Sequence, residues 1–239
     1  FTHIYYKYLY DYLHCKKMER EKYFVVSDLH LGNNYFCHRA FIAWLDQLPL
    51  HATLVLNGDI IDDPNRSLIG SHDSVLKRII AESFHRPVIW IHGNHDAQFY
   101  MEDIGEITFV TEWFVGRRLL VVHGHKLDDV MPKYSVFKWA FRRFHDLSGL
   151  VGFRKMHVAQ YAKRWPRLYK VLTNRVAQNG KKLANSRGFS AIACGHTHFP
   201  IDDVHSDVRY LNTGSWTERP LYYLSIDASD IFLCEWVYE

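Results

Sequence analysis

Five short stretches of the sequence gather side chains that bind divalent metals: Asp28-x-His30, Gly58-Asp59-x-x-Asp62, Gly93-Asn94-His95-Asp96, His123-Gly124-His125 and Gly195-His196-Thr197-His198. Carboxylate oxygen, amide oxygen and imidazole nitrogen, with no thiolate among them, form a donor set for divalent Mn, Fe or Zn. Residues two apart in an extended chain project to the same side, so Asp28 and His30 share a direction, as do His196 and His198. A lone D-x-H or H-x-H pair carries little information, but five such stretches in order are a specific pattern. Two cations held about 3.5–4 Å apart clamp a phosphate and bring a bridging water to lose its proton near neutral pH, and the resulting hydroxide attacks phosphorus. No side-chain nucleophile is evident, and none is required for that reaction.

Each stretch follows a short apolar run. Residues 23–27 (YFVVS), 53–57 (TLVLN), 88–92 (VIWIH), 118–123 (RLLVVH) and 190–194 (SAIAC) read as buried strands. Residues 39–48 place Ala40, Phe41, Trp44, Leu45 and Leu48 on one helical face before Pro49, and residues 74–84 form a second helix before Pro87. Strands alternating with helices predict an α/β sheet with covered faces. Residues 209–212, 222–226 and 231–236 add late strands with no helix between them, a mixed or antiparallel part of the core. The metal-type residues therefore stand at the C-terminal ends of strands, the edge where open α/β folds bind ligands. Asp28, Asp59, Asn94 and His123 are separated by 31, 35 and 29 residues, about one strand–helix–strand unit each. From His123 to His196 the gap is 73 residues, which predicts an inserted helical cap at about 131–190 over one side of the site.

The 239 residues, 48% of them apolar, suit one α/β domain carrying such a cap. Residues 1–17 read as an N-terminal extension, and the domain is expected over 18–239, from Met18 onward. No uncharged run of about 18 apolar residues is present, so no transmembrane helix is predicted, and no secretory signal pattern is seen. The four cysteines, Cys15, Cys37, Cys194 and Cys234, include no C-x-x-C pair and read as reduced thiols of a cytosolic protein.

Charge is distributed unevenly. Residues 131–190 hold fourteen basic residues against one acid, Asp146, while the whole chain has a net charge of only +3. Such asymmetry suggests an anionic partner. Aromatic residues are interleaved, and Val136, Phe137, Ala140, Phe141, Phe144 and Leu147 follow helical spacing. Three readings stay open: a packed cap with a solvated basic rim, a cap holding a lipid-linked phosphate at an anionic membrane surface, or a nucleic-acid groove. Arg142, Arg143, Arg154 and Lys155 are the substrate-binding candidates.

Taken together, the five stretches resemble the calcineurin-like metallophosphoesterase superfamily, over residues 24–216. The resemblance implies two packed mixed β-sheets flanked by helices, a four-layer sandwich, with the helical cap inserted. It also implies roles. Asp28, His30 and His198 would bind one metal, Asn94, His123 and His196 the second, and Asp59 would bridge them. His95 would stand beside the leaving oxygen as acid or hydrogen-bond donor, oriented by Asp62. Mn²⁺ is the first expectation for both ions, with Fe or Zn as alternatives. His125 reads either as support for the site or as a turn residue, and Asp96 as a turn or helix-cap residue.

Within the superfamily, S-D-L-H-L-G, G-D-I-I-D, the H-G-H-x-x-D run from His123 to Asp128, the long helical insert, C-G-H-T-H and L-N-T-G-S-W resemble the UDP-2,3-diacylglucosamine diphosphatases and their relatives. Those enzymes cleave a pyrophosphate in the lipid A pathway, releasing UMP and an acyl-sugar phosphate. Two features depart from that branch: His95 stands where it tends to have Arg, and its acidic-aromatic motif near Asp62 is missing. The alternative is a general phosphodiesterase or nuclease acting on nucleotides or nucleic acid. A scaffold that lost catalysis would show lost ligands, whereas all seven are present. The expected setting is cytoplasmic, with peripheral contact to an anionic membrane.

Overall fold

The computed structural model describes residues 22–97, 99, 101–129 and 166–239. The expected extension at 1–17, the aromatic stripe, and Arg142, Arg143, Arg154 and Lys155 lie outside the described residues.

Eleven strands and three α-helices are described: β1 (Tyr23–Val26), α1 (His38–Leu45), β2 (Thr53–Asn57), α2 (Ser71–Ser83), β3 (Val88–Ile91), β4 (Thr108–Val110), β5 (Trp113–Val115), β6 (Leu119–Val121), α3 (Pro166–Ser186), β7 (Ala191–Cys194), β8 (Ile201–Asp203), β9 (Arg209–Asn212), β10 (Leu221–Ile226) and β11 (Ile231–Trp236). They form a six-stranded sheet in the order β11-β10-β1-β2-β3-β4 and a five-stranded sheet in the order β5-β6-β7-β9-β8. Strands β1 to β4 run parallel, and β10 and β11 add antiparallel pairs. In the second sheet β6, β7 and β9 are parallel, with antiparallel β5 and β8 at the edges.

Both sheets are mixed, and each buries both faces. That is why the strands read as continuous apolar runs rather than alternating ones. Val25, Val55 and Ile91 from the first sheet meet Val121, Ala193 and Leu211 from the second. The opposite face of the first sheet, with Phe24, Val26, Leu54, Leu56 and Trp90, packs on Phe41 and Trp44 of α1 and Val75 and Ile79 of α2. On the far side of the second sheet, Ala184 of α3 packs with Leu120, Ile192 and Tyr210. The result is the expected four-layer arrangement of helix, sheet, sheet and helix.

The structure differs from the sequence expectation in three places. Helix α2 starts at Ser71, after Gly70 turns the chain with φ +57°. Strands β4, β5 and β8 are three residues each, too short to leave a periodicity. Within the 131–190 segment, residues 166–186 form a helix of 21 residues lying on the second sheet. Its apolar residues Val176 and Ala184 are fully buried, so this part of the segment belongs to the core layer.

Candidate metal centre

The parallel strands β1, β2 and β3 of one sheet and β6 and β7 of the other deliver their C-terminal ends to one edge of the sandwich. There the backbone turns sharply. Asp28, His30, Asp59, His196 and His198 adopt left-handed conformations, with φ of 54°, 52°, 52°, 62° and 52°. Such a conformation costs an L-residue about 1–3 kcal/mol and persists only when its surroundings hold it. Here the strand ends hold one another. Asp28 N–H donates to the Gly58 carbonyl and His30 N–H to that of Asp59, both at 3.0 Å, while Trp216 N–H donates to the Asp28 carbonyl at 3.1 Å. Within the five-stranded sheet, Gly195 N–H donates to the His123 carbonyl at 2.9 Å.

Two glycines make room for the ligands. A Cβ on Gly93 would collide with the Asp59 carboxylate and backbone, and one on Gly58 would sit 2.5 Å from the His123 ring.

Donor atoms converge in three groups, each within 4.8 Å: Asp28, His30 and His198; Asp59, His123 and His196; and His30, Asp62 and His95. In the first, His198 Nε2 lies 3.0 Å from Asp28 Oδ1 and 3.3 Å from His30 Nε2. In the second, His123 Nε2 lies 3.3 Å from Asp59 Oδ2. His123 Nδ1–H donates to the Asn57 carbonyl at 2.9 Å. Its Nε2 is buried with no partner at hydrogen-bonding geometry. A nitrogen this close to a carboxylate calls for positive charge, from a proton on the ring or from a cation between the two. The donor set and this orphaned nitrogen thus fit the divalent metals that the family binds.

In the metal-free chain a proton takes that place at His123. Burial would depress His123, but the Asp59 and Asp28 carboxylates more than offset it and push the imidazole up to about 10. Burial opposes ionisation of Asp59, yet His123, His30 and His95 hold its carboxyl well below the usual range. Burial drives His198 downward against the pull of Asp28, favouring the neutral form a metal requires.

His95 stands at the rim, its side chain 41% exposed. Its backbone N–H donates to Asp59 Oδ1 at 2.8 Å, and its Nδ1–H to the Asp62 carbonyl at 2.8 Å. Nε2 is left 4.0 Å from Asp59 Oδ2. Asp62 therefore meets His95 through its main chain. Its carboxylate accepts instead from His30 Nδ1–H at 2.8 Å and lies 3.9 Å from His95 Nδ1. Asn94 is exposed beside His95 on an open cleft shared with Asp62, Asp63 and Asn65.

Asp96 is a turn residue, fully buried, whose carboxylate accepts from Gly93 N–H at 2.6 Å, Ile60 N–H at 2.8 Å and Trp90 Nε1–H at 3.1 Å. His125 opens the 3-10 turn His125–Leu127. Burial first, then His123 and His196, push its imidazole down to about 4.

Several supporting residues escape a sequence reading. Asn212 Nδ2 donates to the Gly195 carbonyl at 2.7 Å and to Thr197 Oγ1 at 3.1 Å, bracing the loop that carries His196 and His198. Tyr169 of α3 donates its hydroxyl to the Thr197 carbonyl at 2.5 Å. Asn212 had a signal in the L-N-T-G-S-W run after β9, but Tyr169 had none.

The calcineurin-like phosphoesterase family matches residues 22–200, or 179 of the 239 residues. A search of curated proteins finds no match. Among solved structures the chain is similar to a Vps29 variant from Entamoeba histolytica, at 15% identity and TM-score 0.48, over 90% of this chain and 91% of that one. It is similar to the E. coli phosphoesterase Yfce at 14% identity and TM-score 0.45, over 86% and 88% of the two chains. An archaeal phosphodiesterase is similar at 16% identity and TM-score 0.48, over 90% and 99%. Likeness of this degree decides nothing about substrate. With three quarters of its length matched and both ligand clusters in place, the chain belongs to the calcineurin-like phosphoesterase family and is a metal-dependent hydrolase of phosphoesters.

Proposed function

We propose that the chain hydrolyses a nucleotide-linked or lipid-linked pyrophosphate, UDP-2,3-diacylglucosamine or a substrate of that kind. The observation that carries this reading is where the basic segment starts and returns. It leaves just after Asp128, bonded to His196 at 3.1 Å, and re-enters at α3, where Tyr169 is bonded to Thr197. Both ends are thus tied to the loop bearing His196 and His198. Between them, residues 131–165 hold eight basic side chains and one acid. The described cleft is itself acidic at Asp62 and Asp63, so an anionic substrate needs positive charge from elsewhere.

In this reading Asp28, His30 and His198 hold one cation, Asn94, His123 and His196 the other, and Asp59 both. Bound there, the cations supply charge stabilisation at phosphorus and an acidified water. His95, anchored through Nδ1–H, keeps Nε2 for the proton that the leaving oxygen takes up. Asp62 fixes His30 with its carboxylate and His95 with its carbonyl. Arg142, Arg143, Arg154 and Lys155 bind the anionic substrate, and the enzyme meets an anionic membrane peripherally. Mn²⁺ is the proposed metal.

The test is incubation with UDP-2,3-diacylglucosamine and Mn²⁺, with release of UMP and acyl-sugar phosphate as the expected result. Neutralising Arg142, Arg143, Arg154 and Lys155 together removes about 1 kcal/mol each at an anionic surface. The variant should bind phosphatidylglycerol vesicles more weakly and turn over the acylated substrate more slowly. Its hydrolysis of bis-p-nitrophenyl phosphate should stay unchanged. If it instead lost affinity for single-stranded nucleic acid and kept vesicle binding, the nuclease reading would replace this one. His95, in place of the Arg of the diphosphatase branch, favours that broader phosphodiesterase alternative.

A further inference from the structure

Asp128 closes the run that begins at His123, beyond the 3-10 turn. Its side chain is only 2% exposed, unusual for a carboxylate without a dedicated task. Its Oδ2 lies 3.1 Å from Nε2 of His196, the ligand that joins Asp59 and His123 in the second cluster. Asp128 itself belongs to neither ligand cluster.

A carboxylate accepts hydrogen bonds, so this contact places the hydrogen of a neutral His196 on Nε2. The lone pair then sits on Nδ1. The backbone of the same residue is pinned independently. His196 N–H donates to both Asp28 oxygens, at 3.2 and 3.1 Å, and φ is held at +62°. The residue is therefore held at two points, its backbone by Asp28 and its ring tip by Asp128. His123 uses the mirror device: Nδ1–H is tied to the Asn57 carbonyl and Nε2 faces Asp59 Oδ2 at 3.3 Å. The two rings stand 5.6 Å apart at 71°, with opposite nitrogens engaged.

We infer that Asp128 is a positioning residue that fixes His196 in its Nε2–H tautomer and so presents Nδ1 to the second cation. The inference rests on the two-cation reading above. Partners of this kind orient imidazole ligands and raise their basicity, and their loss costs about 10–100-fold in metal affinity.

The full-length chain tests it with Mn²⁺ as the probe and two substitutions. Asp128→Ala should keep the first Mn²⁺ and bind the second about 10–100-fold more weakly by calorimetry. Asp128→Asn should stay close to the parent, because its amide oxygen accepts the same Nε2–H. In metal-free protein with ¹⁵N-labelled histidine, His196 should show hydrogen on Nε2 in the parent and in Asp128→Asn, and should lose that signature in Asp128→Ala. A merely structural role would not move the tautomer. The inference is overturned if Asp128→Asn loses the second ion as fully as Asp128→Ala, which would make Asp128 a ligand. Parent affinity in Asp128→Ala, or Nδ1–H in the parent, overturns it equally. If the parent bound only one Mn²⁺, the two-cation reading would fail, and the tautomer spectra alone would decide the role of Asp128.

Discussion

Replacing His95 by alanine separates the leaving-group step from the metal site. The side chain makes one described hydrogen bond, Nδ1–H to the Asp62 carbonyl at 2.8 Å, and an edge-on contact with the His30 ring at 4.9 Å. It is 41% exposed, so the fold should lose no more than about 1 kcal/mol. The backbone N–H that supports Asp59 at 2.8 Å survives the substitution, and the groups around Asp28 and Asp59 keep their donors, while the group with His30 and Asp62 loses one. What disappears is Nε2, the nitrogen facing the cleft. Positioned general acids contribute about 10²–10⁴-fold. At 1.36 kcal/mol per tenfold, that loss is roughly 3–5 kcal/mol in the barrier. The assay is a series of aryl phosphodiesters of rising phenol pKa, with Mn²⁺ content measured alongside. The full loss should be seen with the poorest leaving group and should shrink as the leaving group is activated, so the dependence on phenol pKa steepens. Equal loss along the whole series would refute a proton-transfer role. Disappearance of one Mn²⁺ equivalent would show that His95 binds metal.

Four further outcomes follow from the structure. His123, pushed up to about 10 in the metal-free chain, must surrender its Nε2 proton to a cation. Mn²⁺ binding at pH 8 should therefore release about one proton, read by calorimetry in buffers of different ionisation enthalpy, and zero release would contradict the assignment. Because that pKa is raised above its usual value of 6.5, its contribution to metal-free stability is complete below about pH 6.5 and lost as pH rises through about 10. Thermal unfolding across that range should follow it in the metal-free protein but not in the Mn²⁺-loaded one. Gly93→Ala drives a methyl into the Asp59 carboxylate, so it should cost about 1–3 kcal/mol and lower Mn²⁺ affinity together; unchanged affinity would mean that Asp59 can move aside freely. Trp216→Ala empties a fully buried site packed against Phe41 and Trp44, and urea unfolding should register a loss of about 3–5 kcal/mol.

The site was more legible than its surroundings, for a physical reason. Metal ligands must be particular residue types at strand ends, and each apolar run before them marks where a strand stops. The stretches around Asp28, Asp59 and His196 could thus be placed from sequence. The division of labour at Asp62 could not: spacing brings it near both His30 and His95 but cannot tell a carboxylate contact from a carbonyl one. Strands β4 and β5 hold only three residues each, and β5 is defined by its pairing with β6. The helix Pro166–Ser186 looked like part of a cap because its sequence is basic. Its exposed face is basic, while Val176 and Ala184 on the other side are fully buried. Charge dominated a composition-based reading of a helix whose packing is set by its apolar minority.

The placement of the ligands explains why so much backbone strain is tolerated in one place. Asp28, His30, Asp59 and Asn94 follow strands of the six-stranded sheet, whereas His123, His196 and His198 follow strands of the five-stranded one. Described hydrogen bonds across that seam include His196 N–H to Asp28, His123 Nδ1–H to the Asn57 carbonyl, and Ser27 to Thr213 and Gly214. Below the seam the sheets are joined by valine, isoleucine, leucine and alanine contacts, which resist separation but do not fix direction. Directional bonds at the top must come from the ligand groups themselves. His123, His196 and His198 from one sheet face Asp28, His30 and Asp59 from the other, and histidine–carboxylate pairs such as His198–Asp28 at 3.0 Å already join them. The left-handed turns at five of these residues are the cost of aiming them inward from strands that would otherwise carry them apart. Cations held by these groups would do two things at once, activating a phosphoester and adding directional contacts across the seam.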